Sequence, residues 1–221
     1  MKEKISYFLP LSQLSYKKLY TILSHSWINL YKSLHFTFKK MSTIDLLMNR
    51  HTIRNYDASY EIPKDAVEKI MEAVRLSPTA FTVQDVDFIV CTDRKKNQEA
   101  TDAQLKIFDE KTQGVFESRK KNFKVSNVIT CDASAEVIIF KNERASEPNC
   151  YIHAGIAAMA ICVAVKDYGL DTMCHTAMVG PGAASVYGID PEKMIMAVAI
   201  GKARPDAHIS ARQYNNKINY L

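Results

Sequence analysis

The sequence predicts an α+β or α/β domain, because short apolar runs are interspersed with longer segments of helical periodicity. Three runs are typical of buried strands, at residues 87–92, 135–140 and 193–201. No Gly-x-Gly-x-x-Gly motif follows a predicted strand, and the chain has no Walker A lysine loop. A doubly wound dinucleotide fold is therefore not expected, and any bound phosphate must be held by side chains.

Apolar spacing and terminating residues define the predicted helices. Four segments are predicted to be helical: residues 42–50, 63–76, 95–121 with a break near Gly114, and 149–168. Ser42 is a suitable N-cap for the first helix, Pro63 opens the second, and Gly169 ends the last. The tail from residue 202 onward is polar and is predicted to be irregular.

The segment 149–168 is apolar on nearly every face and rich in alanine. A helix of this kind must be covered on all sides. We therefore expect it either at the centre of the core or packed against a second subunit.

Charge divides the chain into two parts. With 221 residues, of which 47% are hydrophobic and 24% charged, the chain is long enough for one domain with a sizeable core. Its net charge is +5, yet residues 1–40 alone hold seven lysines and one acidic residue, Glu3. The remaining 181 residues hold 22 basic and 23 acidic side chains, so the body of the protein is close to neutral. A neutral body does not favour nucleic-acid binding.

We expect a basic extension at residues 1–40 and a single domain at residues 41–221. The extension has no apolar run of about 18 residues, so no membrane span is predicted there. Three interpretations remain open: a targeting peptide, although it contains no arginine; an interfacial or partner-packing helix; or a segment upstream of a natural start at Met41.

The five cysteines are odd in number and show no Cys-x-x-Cys spacing, so neither a zinc site nor a disulfide framework is predicted. They are Cys91, Cys131, Cys150, Cys162 and Cys174. Free thiols in apolar runs are typical of a reducing compartment, and packing is their expected role. The six histidines show no metal-ligand spacing either.

The segment Arg50-His51-Thr52-Ile53-Arg54 is the first candidate site. Alternate side chains of an extended segment point the same way, so Arg50, Thr52 and Arg54 can converge on one anion. Two guanidiniums and a hydroxyl suit a phosphate. The alternative is a solvated helix C-terminus, where positive charge offsets the helix dipole.

Three further segments carry polar groups that could serve a site. The loop at residues 77–84 contains Thr82 and Gln84, which can hydrogen-bond a heterocycle edge, or it is simply a connection. In Cys174-His175-Thr176-Ala177 a thiol–imidazole pair is not expected, since adjacent strand residues face opposite sides, and we favour a backbone role. Positive charges follow a strand at residues 201–205 and at Arg212. The default explanation is that they are ordinary surface charges exposed to solvent.

Taken in order, these segments resemble the nitroreductase family. Its Arg-x-Ser-x-Arg box, followed by an aromatic and an acidic residue, corresponds to residues 50–57, with Thr52 in place of serine. Its Ser-Pro-Ser-x-x-Asn-x-Gln-Pro-Trp loop, which runs into a strand, corresponds to residues 77–90. The long helix ending in Gly-Leu-Asp corresponds to residues 149–171, and a late arginine to Arg212.

The resemblance covers residues 41–221 and has departures. Thr82 replaces an asparagine that hydrogen-bonds the flavin ring in the family, and a threonine cannot supply both the donor and the acceptor of an amide. Asp85 and Val86 replace Pro-Trp. Thr176 and Ala177 stand where the family often has glycine near the flavin N5. Flavin affinity or redox tuning is therefore expected to be atypical.

The resemblance implies a central, mainly antiparallel sheet flanked by helices, completed by formation of a homodimer with one FMN per subunit at the interface. The implied cofactor-binding residues are Arg50, His51, Thr52, Arg54, Thr82, Gln84, Cys174, His175, Thr176, Ala177 and Arg212. The phosphate and ribityl oxygens would be held by Arg50, Thr52, Arg54 and Arg212. Thr82 and Gln84 would approach the ring, and residues 174–177 would pass beside it through backbone N–H groups.

The implied chemistry is a ping-pong transfer of hydride from NAD(P)H through flavin N5 to a small acceptor such as a nitro compound or a quinone. It requires no side-chain acid or base and no metal. Three alternatives remain: a flavin-binding protein with little turnover, a relative with another flavin reaction such as dehalogenation, and a structural or membrane-surface protein governed by residues 1–40. The cytoplasm is the expected location, or an organelle if residues 1–40 are a targeting segment.

Overall fold

The computed structural model describes residues 42–221, in which Asp45–Leu221 form one compact unit. The predictions for residues 1–40 lie outside the described residues. The helices are α1 (Thr43–Asn49), α2 (Lys64–Arg75), α3 (Arg94–Leu105), α4 (Glu110–Phe123), α5 (Asn149–Ala164) and α6 (Pro181–Tyr187). The strands are β1 (Val86–Cys91), β2 (Ala135–Lys141), β3 (Asp171–His175) and β4 (Met194–Gly201).

The four strands form one sheet in the order β1-β2-β4-β3, and every neighbouring pair is antiparallel. The central strands β2 and β4 are almost entirely buried, because both faces of the sheet are covered by other elements. The predicted α+β class and the antiparallel sheet are confirmed.

Each face of the sheet has its own core. On one face, Val137 and Val198 pack with Ile70 of α2 and Ile161 of α5. On the other, Ile138 and Ala197 pack with residues of α3 and α6, among them Ala100 and Ala183. Alternate residues of β2 therefore serve opposite layers, which follows from the two-residue period of a strand.

The predicted long helix is α-helical to Ala164, continues as a 3₁₀ turn (Val165–Tyr168), and ends at Gly169 in the left-handed conformation with a φ of 66°. Its burial is one-sided. Ile152 and Met159 are 57% and 39% exposed, and Ile156 and Val163 on the same stripe are only half-buried. These four side chains leave an apolar face without cover in the single chain.

Within residues 42–221, the segment Asn149–Tyr168 is the one helix long and apolar enough to cross a membrane by length and composition, with a mean hydropathy of 1.4. Of its 18-residue window, 44% is buried inside the fold. The buried side packs on α2 and the sheet, and a core helix of a globular domain meets the same criterion.

Several predicted boundaries were wrong. The break in the segment 95–121 does not lie at Gly114, which is inside α4, but between α3 and α4. The break falls there because the Asp109 carboxylate caps α4, accepting from the Thr112 backbone N–H at 2.8 Å. The remaining predicted strands and helices differ from the observed ones by a few residues at their ends, while β3 and α6 were not assigned from the sequence.

Candidate functional site

The segment after α1 runs alongside β3. Thr52 forms a parallel bridge with Thr172, and the Ile53 backbone N–H donates to the Thr172 carbonyl at 3.2 Å. Ile53 and Asn55 are buried, whereas Arg50, Thr52 and Arg54 are half-buried. From residue 52 to residue 55, half-buried and buried side chains alternate, as expected for an extended segment, whereas His51 is half-buried like its neighbours.

Arg212 joins this segment from the C-terminal tail, since its guanidinium donates to the Arg50 carbonyl. Burial, reinforced by the positive charges of Arg212 and Arg50, lowers the pKa of His51. His51 is consequently a neutral group among cations. Within residues 42–221, no carboxylate pairs with Arg50, Arg54 or Arg212, so three guanidiniums are free of counter-charges from the described chain.

The two arginines of the segment lie towards different neighbours. Arg50 lies near Cys162 on α5, where its positive charge helps to lower the pKa of the Cys162 thiol. Arg54 lies near Arg119 on α4. Burial is the main cause of the lowered pKa of Arg119, and the charge of Arg54 adds to it. The cationic strip therefore extends along the segment from the C-terminal end of α5 towards α4. We call this strip, Arg50 to Arg54 with Arg212, the cationic half-site.

The adjacent residues Cys174 and His175 face opposite sides of the sheet, as predicted. The Cys174 Sγ lies 3.5 Å from the Sγ of Cys162 on α5. His175 reaches the other way, over Ala197 and Ala199 of β4, so that its Nε2 lies 2.7 Å from Oε1 of the fully buried Glu136. No thiol–imidazole pair forms.

The Glu136–His175 pair lies in the apolar face of the sheet. The two side chains are 0% and 10% exposed, and their polar atoms are not aligned as donor and acceptor. Sequence reasoning did not identify Glu136. An acidic residue in the otherwise apolar run of β2 was its only signal.

The loop 77–84 is held by a chain of contacts that sequence reasoning also missed. The Ala80 backbone N–H donates to Nε2 of His153 at 2.9 Å, and Nδ1 of His153 lies 2.7 Å from Oδ1 of Asp85. Because Nε2 accepts a hydrogen bond, the ring proton belongs on Nδ1 and is donated to the carboxylate. Asp85 and His153 are 1% and 5% exposed, so the family's proline is replaced here by a buried, partnered carboxylate.

The loop backbone is strained at three residues. Phe81, Thr82 and Gln84 have φ values of 53°, 56° and 46°, in the left-handed region that non-glycine residues seldom adopt. Phe81 and Thr82 are exposed, and the Gln84 side chain donates to the Arg75 carbonyl at 3.3 Å. The loop therefore presents an apolar ring and a hydroxyl to the outside of the single chain.

A cavity of about 390 Å³ opens beside this loop, between α2, α5 and β1. Its lining includes Arg75, Ser77, Gln84, Arg144 and His153. Val86, at the position where the family has tryptophan, also lines it, so the smaller side chain leaves this space open.

The single chain does not bring the loop and the cationic half-site together. The loop contacts His153 and the cationic half-site adjoins Cys162, and these positions are nine residues apart on α5. At about 1.5 Å per residue, they are separated by roughly 14 Å along the helix axis. Within residues 42–221 no hydrogen bond or ion pair joins the two groups.

The architecture and the cationic half-site define an α+β protein with a strip of three arginines at the edge of an antiparallel sheet. The Nitroreductase family model matches residues 47–202. The chain is 21% identical over 197 residues to the "Putative NAD(P)H nitroreductase YodC" of Bacillus subtilis, covering 80% of this chain and 98% of that one.

Solved structures show the same fold. A nitroreductase with bound FMN from Desulfitobacterium hafniense is 15% identical, with a TM-score of 0.68 over 82% of this chain and 99% of that chain. The FMN-dependent nitroreductase NfnB from Mycobacterium smegmatis, solved in complex with NADPH, is 14% identical, with a TM-score of 0.61 over 80% and 96%. The chain belongs to the nitroreductase family.

Proposed function

We propose that this protein is an FMN-dependent oxidoreductase that takes hydride from NAD(P)H and passes electrons to small acceptors such as nitro compounds or quinones. The observation that carries the proposal is the cationic half-site: three arginines that have no carboxylate partner within residues 42–221 lie on or beside the segment that contains Thr52. This donor set fits a phosphate monoester and its neighbouring hydroxyls. Family membership supports the same cofactors, as do the similar structures solved with bound FMN or in complex with NADPH.

Arg50, Arg54 and Arg212 would hold the FMN phosphate, and Thr52 would bind an adjoining oxygen. His51, neutral among these cations, would contribute a hydrogen bond rather than a charge. The backbone of residues 174–177 would lie beside the ring. FMN, when bound, supplies the hydride chemistry; the chain positions it and requires no side-chain acid or base.

A second copy of the chain would complete the site. The loop 77–84, with Thr82 and Gln84, lies at the opposite end of α5 from the cationic half-site, so another subunit must supply it to the same flavin. The uncovered stripe Ile152, Ile156, Met159 and Val163 provides a self-complementary apolar face for such a homodimer. The dimer would also cover the apolar side of α5 that remains exposed within one subunit.

Removing one cation tests the assignment. Arg54→Ala should weaken FMN binding by about 1.5–3 kcal/mol, because one charge-assisted hydrogen-bonding group is lost. The measurement is the FMN dissociation constant by flavin fluorescence. Lys69→Ala, which removes an exposed cation of α2, is the matched control and should leave affinity unchanged. Equal affinity in wild type and Arg54→Ala would remove Arg54 from the site.

A flavin-binding protein with little turnover is the second candidate, and the exposed Thr82 favours it, because a threonine offers the ring less than the family's asparagine. Dehalogenation on the same flavin is a further alternative.

The proposed division of the chain is a basic extension at residues 1–40 and the flavin domain at residues 41–221. We also propose a cytoplasmic protein without a membrane span or nucleic-acid partner, or an organellar one if residues 1–40 direct it.

A further inference from the structure

We propose that Cys162 and Cys174 are a redox-active pair that closes reversibly to a disulfide on reaction with low-molecular-weight disulfides. The two Sγ atoms, from α5 and β3, are 3.5 Å apart. A disulfide bond is about 2.05 Å long, so the sulfurs need to approach by only about 1.5 Å. Rotation about the side-chain torsions of two surface-proximal residues supplies a movement of that size.

The two thiols differ in access. Cys174 is exposed, whereas Cys162 is 2% exposed and lies beneath it. A small disulfide in solution can therefore reach Cys174 and cannot reach Cys162. This is the arrangement of an accessible thiol with a resolving thiol behind it.

The surroundings favour a thiolate at Cys162. The Thr172 hydroxyl donates to the Cys162 Sγ at 3.1 Å, and the Cys174 Sγ lies within hydrogen-bonding distance of it. The positive charges of Arg50 and Lys166 lie nearby. Chiefly because of the Cys174 hydrogen bond, and against the effect of burial, the pKa of Cys162 is lowered, while the pKa of Cys174 is raised. Of the two sulfurs, Cys162 is therefore the one that ionises more readily.

The remaining cysteines are internal controls. Cys91, Cys131 and Cys150 are all buried, and burial raises the pKa of each. Among the described residues, which include all five cysteines, none of these three lies within hydrogen-bonding distance of another cysteine Sγ. Neither oxidation nor pairing is expected at these positions.

The reaction balances with one small disulfide as oxidant. The Cys174 Sγ attacks one sulfur of the small disulfide while its proton passes to Cys162, and one small thiolate leaves. The Cys162 Sγ then attacks the Cys174 Sγ, its proton passes to a departing sulfur, and the second small thiol leaves. The protein gains one S–S bond and loses two electrons, and the small disulfide is reduced to two small thiols, one of them ionised.

Thr172 connects this pair to the cationic half-site. Its carbonyl accepts from the Ile53 backbone, and its hydroxyl donates to the Cys162 Sγ. In the disulfide, the Cys162 sulfur can no longer ionise beside Arg50. The redox state of the pair therefore bears on the charge at one end of the cationic half-site.

The test treats the full chain with excess glutathione disulfide, followed by alkylation, intact mass and peptide mapping. Wild type should lose two of its five titratable thiols, become lighter by two hydrogens and yield a cross-linked Cys162–Cys174 peptide. Dithiothreitol should restore all five. Cys91→Ser, the matched control, should form the same cross-link.

The single variants separate the two roles. Cys162→Ser should stop at a glutathione adduct on Cys174, and Cys174→Ser should acquire neither adduct nor cross-link. Wild type that keeps five thiols, or accumulates a stable glutathione adduct on Cys174, or links Cys174 between two subunits, would overturn the proposal. The cross-link is read from the mass and the peptide map, not from flavin or activity, so its absence can be told apart from a failure of the proposed function.

Discussion

Asp85 shows how one residue changes the way a loop is held. At this position the nitroreductase family has a proline, whose ring restricts the backbone φ torsion. Here a carboxylate, 1% exposed, pairs with His153, which in turn accepts from the Ala80 backbone. The same loop is thus tethered to α5 by side-chain hydrogen bonds instead of by a restricted torsion.

Asp85→Asn should destabilise the protein by about 1.5–3 kcal/mol, because it removes a buried charge-assisted hydrogen bond. The measurement is the urea midpoint at fixed protein concentration. Asp87→Asn makes the same change at an exposed carboxylate two residues further on and is the control, with a small expected effect. Equal midpoints for the two variants would show that the His153 contact contributes nothing to stability.

At the residue scale, local periodicity made part of the site predictable. Thr52 and Arg54 alternate with the buried Ile53 and Asn55 because an extended chain repeats every two residues, which the sequence displays directly. Asp85 and His153 were not predictable as a pair, since 68 residues separate them. The same holds for Cys162 and Cys174, which are brought together only by the packing of α5 on β3.

At the element scale, the loop 77–84 combines strain with exposure. Thr82 has a φ of 56°, and a β-branched residue is unfavourable in that conformation, whereas asparagine tolerates it. The loop accepts this strain while its ends are fixed by β1 and by the Ala80–His153 hydrogen bond. Strained residues of this kind are concentrated at ligand-binding sites.

Thr82→Asn should therefore stabilise the protein by about 1 kcal/mol, because it relieves the left-handed strain. A thermal-unfolding midpoint above that of wild type is the expected reading. Thr92→Asn, at an exposed residue without a positive φ, is the control and should bring no gain. A fall in the midpoint of Thr82→Asn would mean that the threonine side chain makes a contact worth more than the strain.

The elements that sequence reasoning missed are short. β3 has five residues and α6 has seven, which are too few for a hydrophobic period to be recognised locally. Each forms because tertiary contacts favour it: β3 pairs with β4, and α6 packs on α3. The longer apolar elements were predictable because their periodicity extends over enough residues to be read locally.

At the scale of the whole molecule, the one-sided burial of α5 predicts association. Ile152→Glu should convert a dimer of about twice the 25.0 kDa chain mass into a monomer, because it places a charge in the apolar stripe. Light scattering measures this directly. Val115→Glu, at an exposed residue of α4 outside the stripe, is the control. A variant Ile152→Glu that remains dimeric would place the interface elsewhere.

The visible spectrum of the full chain supplied with FMN, before and after anaerobic NADH or NADPH, tests the central claim most directly. Flavin bands should remain with the protein through gel filtration, bleach with one of the nucleotides, and return on addition of a nitroaromatic or a quinone. Flavin that stays oxidised with both nucleotides would favour the binding protein without turnover. A protein that retains no FMN would contradict the assignment of the cationic half-site.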